Sequence, residues 1–346
     1  MAFTSDANSV AVVPAFGEGE GTVDVRDLSS GRLLYSRSVT TSGYARFREG
    51  GNLVDRPDRR RPPGPGASRR VALRRAYGGG MTTTPRLPFP YAEFDGRPAT
   101  DADLRIPAFL GYGHFTAMQV RDGRVRGLDL HLARLDGANQ ELFERPLDGE
   151  RVRALIRHAL EGAGVRDASV RVHGYLPPGD TETTVMVTVR GPDRKSAEPH
   201  ALMSVPYART VPHIKRPGEF GQTYYAQLAA RAGFDEALLT LPDGTVTEGA
   251  ITNVGFWDGT SVVWPDAPCL IGITMALLER ELPGSGPESV RRPVTLDGLG
   301  AFRSAFVTNS QGIAPVGRID DMEFVVDEEL MRRLGRAYDG TRWDTV

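Results

Sequence analysis

The chain has 346 residues, 40% hydrophobic and 25% charged, with a formal net charge of −2, which fits a globular protein of up to two domains and points to neither nucleic acid nor a membrane surface. No apolar run nears the roughly 20 residues that span a bilayer, and no basic-then-apolar leader opens the chain, so a cytoplasmic location is expected. The single cysteine, Cys269, excludes an intrachain disulfide and a cysteine-built zinc site, and the histidines form no metal-binding pattern. Residues 1–85 stand apart. The first 80 hold 13 arginines against 8 acidic residues, and positions 52–75 are dominated by Arg, Pro and Gly. Such a segment buries too little apolar surface to offset the entropy of ordering. A basic, disordered extension is expected, with Met81 as an alternative start; a nucleic-acid-binding arm is the lesser reading. Within it, residues 23–37 read as a hairpin turned at Ser29-Ser30-Gly31.

Ordered patterning begins near Tyr91. Phe94-Asp95-Gly96-Arg97 predicts a turn between two short strands. Residues 115–121 and 124–128 predict a hairpin closed by Asp122-Gly123. Residues 130–143 and 148–160 repeat apolar positions at helical spacing, and 169–175 and 183–189 alternate like strands. These elements make a small domain over 86–192, followed by a polar linker. A larger domain over 199–346 opens with a strand at 203–210 and a helix at 222–232, stopped by Gly233. Hairpins follow at 236–248 and 251–264, then a helix at 273–282, a buried strand at 305–308 and a closing helix at 326–338. The order implies an α+β fold with mixed or antiparallel sheets.

Of 42 basic residues, only Lys195 and Lys215 carry an amine. Lys195 falls in the polar linker, where an amine is merely solvated. Lys215 follows the first strand of the second domain. A phosphate-bearing aldehyde cofactor needs such an amine for a Schiff base and an acid beside its ring nitrogen. Its phosphate needs arginine, hydroxyl and helix-start N–H donors. Glu248 ends a strand ahead of Gly249-Ala250. Arg134 lies on the first helix near His131. Gly272-Ile273-Thr274 opens a helix, and Thr308-Asn309-Ser310 ends a strand. Taken singly, each has a plain explanation as a surface acid, a solvated arginine or an ordinary cap.

Their order resembles the class IV aminotransferases, also called fold-type IV pyridoxal-phosphate enzymes. That group includes branched-chain and D-amino-acid aminotransferases and aminodeoxychorismate lyases. Tyr112-Gly113-His114-Phe115-Thr116 is similar to the family's Gly-x-x-Phe segment. Leu130-His131-Leu132-Ala133-Arg134-Leu135 resembles its arginine-bearing helix, and Ile214-Lys215 its Schiff-base segment. Asp235-Glu236-Ala237-Leu238 and the run from Val246 to Asn253 resemble the strand pair that delivers the acid. Leu270-Ile271-Gly272-Ile273-Thr274 and the stretch from Phe306 to Pro315 resemble its phosphate loops. The likeness covers about residues 90–325.

The resemblance implies a two-domain homodimer with pyridoxal 5'-phosphate between the domains. Lys215 is implied as the cofactor's anchor and proton carrier, with Glu248 at the ring nitrogen. Arg134, Ile273, Thr274 and Ser310 are implied at the phosphate, with Asn253 in the cofactor-binding set and His131 a packing residue. Two departures matter. The tyrosine that many transaminases carry five residues after the lysine is here Phe220. Thr116 and Gln119 stand where relatives have other residues, and so are expected to line a different pocket. His114, Thr116 and Phe220 are therefore the candidate substrate-pocket residues. The expected activity is amino transfer between an amino acid and a 2-oxo acid. The alternatives are a lyase of the aminodeoxychorismate type and a non-catalytic binder on the same fold.

Overall fold

The computed structural model describes residues 90–346 and, before them, four strands: β1 (Ala2–Phe3), β2 (Ser9–Val12), β3 (Glu20–Asp27) and β4 (Leu33–Thr40). The chain divides into two compact units, Met1–Leu73 and Arg74–Val346. In the first, the four strands form an antiparallel sheet in sequence order. Val23 pairs with Arg37, as the predicted hairpin requires. Its turn at 29–31, and the remainder of the expected disordered stretch with Met81, lie outside the described residues.

The second unit opens with an antiparallel sheet. β5 (Tyr91–Phe94) turns through Asp95 and Gly96, both at positive φ, into β6 (Arg97–Pro98). A short helix, α1 (Arg105–Phe109), leads to β7 (Gly113–Val120). Asp122 and Gly123, again at positive φ, turn the chain into β8 (Arg124–Arg126), a geometry that Asp-Gly pairs tolerate. Helices α2 (Leu128–Phe143) and α3 (Gly149–Gly162) follow, then β9 (Ala168–Tyr175) and β10 (Thr184–Arg190). The Asp148 carboxylate caps α3 by accepting from the Glu150 N–H at 2.9 Å.

The strand order is β6-β5-β10-β9-β7. Alternation sends Met118, Val120, Val170, Val172, Val185 and Val187 to one face, where they pack on Leu128, Leu135, Val152 and Ile156 of the two helices. Ile156 is fully buried there. Ile156→Ala is expected to cost about 2–5 kcal/mol, read as a lower urea midpoint with an unchanged slope. The other face of the sheet carries Phe115, Arg171 and His173, and the register sets Phe115 against His173.

The second sheet is larger. Its elements are β11 (His200–Pro206), α4 (Phe220–Arg231), β12 (Glu236–Thr240), β13 (Val246–Gly249), β14 (Asn253–Trp257), β15 (Ser261–Pro265), α5 (Ile273–Ser285) and β16 (Glu288–Arg292). A 3-10 turn (Leu296–Ala301) leads to β17 (Ser304–Asn309), β18 (Gly312–Ile319), β19 (Met322–Glu323), α6 (Glu328–Gly340) and β20 (Trp343–Thr345). The strand order is β13-β12-β11-β18-β17-β14-β15-β16, with β19 on β18. β11 runs parallel to β12 and β18, and β15 parallel to β16; the other pairs are antiparallel. This unit is thus α+β, with an antiparallel sheet, a larger mixed sheet and the two-stranded β8–β20 ladder, and each of the two large sheets has its own core.

One strand ends earlier than the pattern predicts. β11 stops at Pro206 rather than at residue 210, and residues 207–219 are irregular. The Arg209 side chain takes the Pro212 and Ile214 carbonyls at 2.7 and 3.0 Å, so these groups close a loop instead of extending a ladder. The closing strand β20 returns to pair with β8 in a separate two-stranded ladder, and Arg126 of β8 lies between the Tyr338 and Trp343 rings, 4.4 Å from each centroid.

Candidate active site

Lys215 lies on the irregular loop between β11 and α4, half-buried. Its carbonyl accepts from the Phe115 N–H at 2.8 Å, and its Nζ sits 5.0 Å from the centroid of the Phe115 ring. Arg209, with only 2% of its side chain exposed, shapes this loop. Besides the two loop carbonyls, it donates to Glu248 Oε1 at 3.2 Å. A single guanidinium thereby holds both the lysine loop and the acid on β13. Glu248 also accepts from the Leu270 N–H at 3.3 Å.

Desolvation lowers the Lys215 amine to about 8. The positive charges of Arg134 and Arg209 add to the shift, and Glu248 opposes it. Burial raises the Glu248 carboxyl, against the pull of Arg209 and the Leu270 N–H. The lysine shift carries a stability signature. Between pH about 8 and the ordinary lysine value of 10.5, the unfolded chain binds more protons at this site than the folded one. Folding stability of the cofactor-free protein is therefore expected to rise with pH across that window. Urea titrations of Lys215→Met should show a smaller rise, the part that remains coming from Lys195, whose amine burial also lowers.

A second group of residues builds an anion site. Helix α5 starts after Gly272, and its first N–H groups, those of Ile273 and Thr274, have no acceptor within the helix. Asn253 holds the approach: its Nδ2 donates to the Leu270 carbonyl at 2.6 Å, and its Oδ1 accepts from the Gly272 N–H at 3.0 Å. The Thr274 hydroxyl donates to the Asn309 carbonyl at 2.7 Å, tying the helix start to the Ser310-Gln311 turn between β17 and β18. Arg134 reaches over from α2 and donates Nη2 to the Ile271 carbonyl. The rest of its guanidinium makes no further hydrogen bond among the described residues, and burial lowers its pKa to about 10. The buried Thr308 hydroxyl also lacks a partner among the described residues; it sits across the ladder from Asn253. A half-bonded guanidinium, an open helix start and an orphaned hydroxyl suit a bound anion. A Cβ at Gly272 would collide with Asn253 Oδ1. Gly272→Ala is therefore expected to weaken phosphate-ester binding by about tenfold, measured by titration calorimetry with pyridoxal phosphate.

The structure thus brings Glu248 and Arg134 within electrostatic reach of Lys215 and ties the Ile273-Thr274 helix start to the Asn309 carbonyl, next to Ser310. Asn253 differs from its expected role, since its amide is engaged on both sides by backbone. Other expectations are corrected. His114 and Thr116 point to the α2 side of the first sheet, away from the Phe115 face. His114 Nε2 pairs with Asn139 Oδ1 at 3.1 Å, and the Thr116 hydroxyl with His131 Nδ1 at 2.7 Å. His131 is buried and held neutral, its pKa lowered to about 3 by desolvation and by Arg134. Phe220, the first residue of α4, is 80% exposed and stacks on Tyr224; it encloses nothing among the described residues. Gln119 bonds Ser169 and the linker at Asp193 rather than lining a pocket. Lys195 is not merely solvated: it is half-buried, and its charge sits beside buried Glu236. Phe115 and Arg209 join the site without a mark in the sequence pattern. Strand alternation separates Phe115 from its neighbours, whereas nothing local marks one arginine among forty.

A family model described as amino-transferase class IV matches residues 113–319, a span that holds every residue of the two clusters. No curated protein sequence matches. Among solved structures, the chain is similar to the Escherichia coli branched-chain amino acid aminotransferase. The TM-score is 0.64 at 17% identity, covering 72% of this chain and 93% of that one. A hypothetical aminotransferase from Mycobacterium tuberculosis, in a PLP-bound form, gives 0.59 at 19% identity, covering 67% and 91%. A Legionella pneumophila protein assigned as a 4-amino-4-deoxychorismate lyase gives 0.60 at 19%, covering 67% and 92%. At such identities the likeness establishes the fold, that of the fold-type IV enzymes.

Proposed function

Since the chain belongs to the class IV aminotransferase family, we propose that it is a pyridoxal-phosphate-dependent enzyme that moves an amino group between an amino acid and a 2-oxo acid. The observation that carries this reading is the convergence of the Lys215 amine and the Arg209-held Glu248 carboxylate beside an anion site built on Arg134 and the start of α5. The donor set fits the cofactor: Arg134, the Ile273 and Thr274 N–H groups and the Ser310 and Thr308 hydroxyls for a phosphate, Glu248 for a ring nitrogen, Lys215 for an aldehyde. When bound, pyridoxal phosphate supplies an electron-accepting ring that stabilises negative charge on the substrate's α-carbon.

The protein's part is to attach, orient and move a proton. With its pKa lowered to about 8, Lys215 holds an appreciable neutral fraction near neutral pH, so the amine can attach the cofactor. With its amine free, the same Nζ would be the group placed to take up and release the proton at the substrate's α-carbon. Arg209 favours the ionised form of Glu248, so that the carboxylate can hold a proton on the ring nitrogen. Phe115 covers the amine and limits water on that side. The same reading divides the unit at the polar linker into domains over 86–192 and 199–346, in a cytoplasmic homodimer.

A second reading, a lyase that releases pyruvate, is favoured by one feature of the sequence: the residue five after Lys215 is Phe220, where many transaminases carry a tyrosine. The test is an absorption spectrum of the purified protein with pyridoxal phosphate, followed by an amino-donor panel. A visible band that borohydride bleaches, and that an amino acid alone converts to the pyridoxamine form, supports amino transfer. Release of pyruvate without an amino acceptor moves the assignment to the lyase. A protein that stays colourless in excess cofactor sinks both.

A further inference from the structure

The rings of Phe115, His173 and Tyr175 form a continuous stack on the face of the first sheet opposite α2 and α3. The register puts His173 directly across from Phe115, and Tyr175 lies two residues further along β9, on the same face. Phe115 and His173 have centroids 5.1 Å apart at 14°, and His173 and Tyr175 6.0 Å apart at 4°. Gly113, opposite Tyr175, makes room for the stack, because a Cβ there would lie 2.7 Å from the Tyr175 ring. The inner end is anchored: Tyr175 is 1% exposed and packs with Phe94 and Met186. The outer end is Phe115, whose ring meets the Lys215 amine and whose N–H holds the Lys215 carbonyl.

We propose that His173 is a positioning residue for Lys215: as the middle ring of the stack, it fixes the face that Phe115 presents to the amine. The reasoning is geometric. A phenylalanine ring backed by aliphatic side chains turns about its own axis with little to choose between orientations, whereas a flat ring behind it favours the parallel one. The π-face so presented attracts the ammonium form of Lys215. A charged ring in the middle would undo this, since the Arg171 guanidinium also lies 5.6 Å from the Phe115 centroid. Desolvation, reinforced by neighbouring charges, lowers His173 to about 3, so the imidazole is neutral near neutral pH. An aliphatic residue would fill the same volume without offering a flat surface.

The inference deepens the proposed function and depends on it only for the effect on turnover. The chain's two lysines make the test direct. Full-length, cofactor-free protein labelled at lysine 13Cε gives two lysine signals, assigned with Lys195→Arg. The ring current of Phe115 should displace the Lys215 ε-CH2 protons upfield, and Phe115→Leu should remove that displacement. His173→Leu is expected to reduce it by roughly half or more and to lower kcat roughly threefold to tenfold, the range for loosening a partly desolvated cation–π contact. His173→Phe should restore both. If His173→Leu fails to fold by circular dichroism, His173→Gln replaces it. An unchanged displacement in a folded variant overturns the proposal, as does full kcat once the displacement is lost. Failure of the proposed function would look different: Lys215→Ala would keep its activity while the ring-current pattern in the unmodified protein persisted.

Discussion

Lys215→Ala is expected to lose essentially all turnover while keeping its fold. Two functions leave with one amine. Proton transfer by a positioned side chain contributes roughly 10²–10⁴-fold on its own, and the covalent anchor of the cofactor goes with it. Loss of fold is not expected, because the amine is desolvated and its charge is opposed by Arg134 and Arg209; removing it relieves a cost. The other lysine cannot substitute, since Lys195 lies beside Glu236 on the linker. The measurement is single-turnover conversion of an amino donor, with and without added methylamine. Rescue by methylamine would identify the missing group as a proton carrier. A variant retaining a tenth of the original rate would remove Lys215 from the mechanism.

Arg209→Met is expected to be the most damaging change that leaves the reacting groups themselves intact. Glu248, buried, would lose its ion-pair partner at 3.2 Å. Breaking a buried pair by removing one member costs about 3–5 kcal/mol, because the remaining charge is uncompensated. The Pro212 and Ile214 carbonyls would lose their donor as well, freeing the Lys215 loop. Glu248 would then favour its protonated form and could no longer hold a proton on a ring nitrogen. The signature is a fall in both urea midpoint and kcat, with the double variant Arg209→Met/Glu248→Gln recovering part of the stability but none of the activity, because the loop carbonyls still lack their donor and buried Glu219 its contact with Arg209. Additive losses of stability in the double variant would show that the two side chains act independently.

Much of the fold can be read along the chain. The Asp-Gly turns at 95–96 and 122–123 rest on local backbone preferences, and α2, α3 and α5 on apolar spacing. The order of Lys215, Glu248, Arg134 and the Gly272 helix start identifies a family because a cofactor with an aldehyde, a ring nitrogen and a phosphate demands those groups together. Elements defined mainly by distant partners are harder to see. β16 and β20 are short and partly polar, and each exists because a strand far along the chain leaves an edge for it.

Sequence alone therefore determined the chemistry on offer: two amines, the acids, the arginines and the segments that carry them. Tertiary structure decided which of them face one another. Period-2 alternation on β7 separates His114 and Thr116 from Phe115, but both sets mix polar and apolar residues, so the pattern does not say which face α2 covers. Packing settles it, burying His114 against Asn139 and turning Phe115 toward Lys215. Arg209 is chosen among forty arginines by where the loop carbonyls and the Glu248 carboxylate converge. That convergence depends on groups as far as 39 residues apart in the chain, beyond the reach of any local rule.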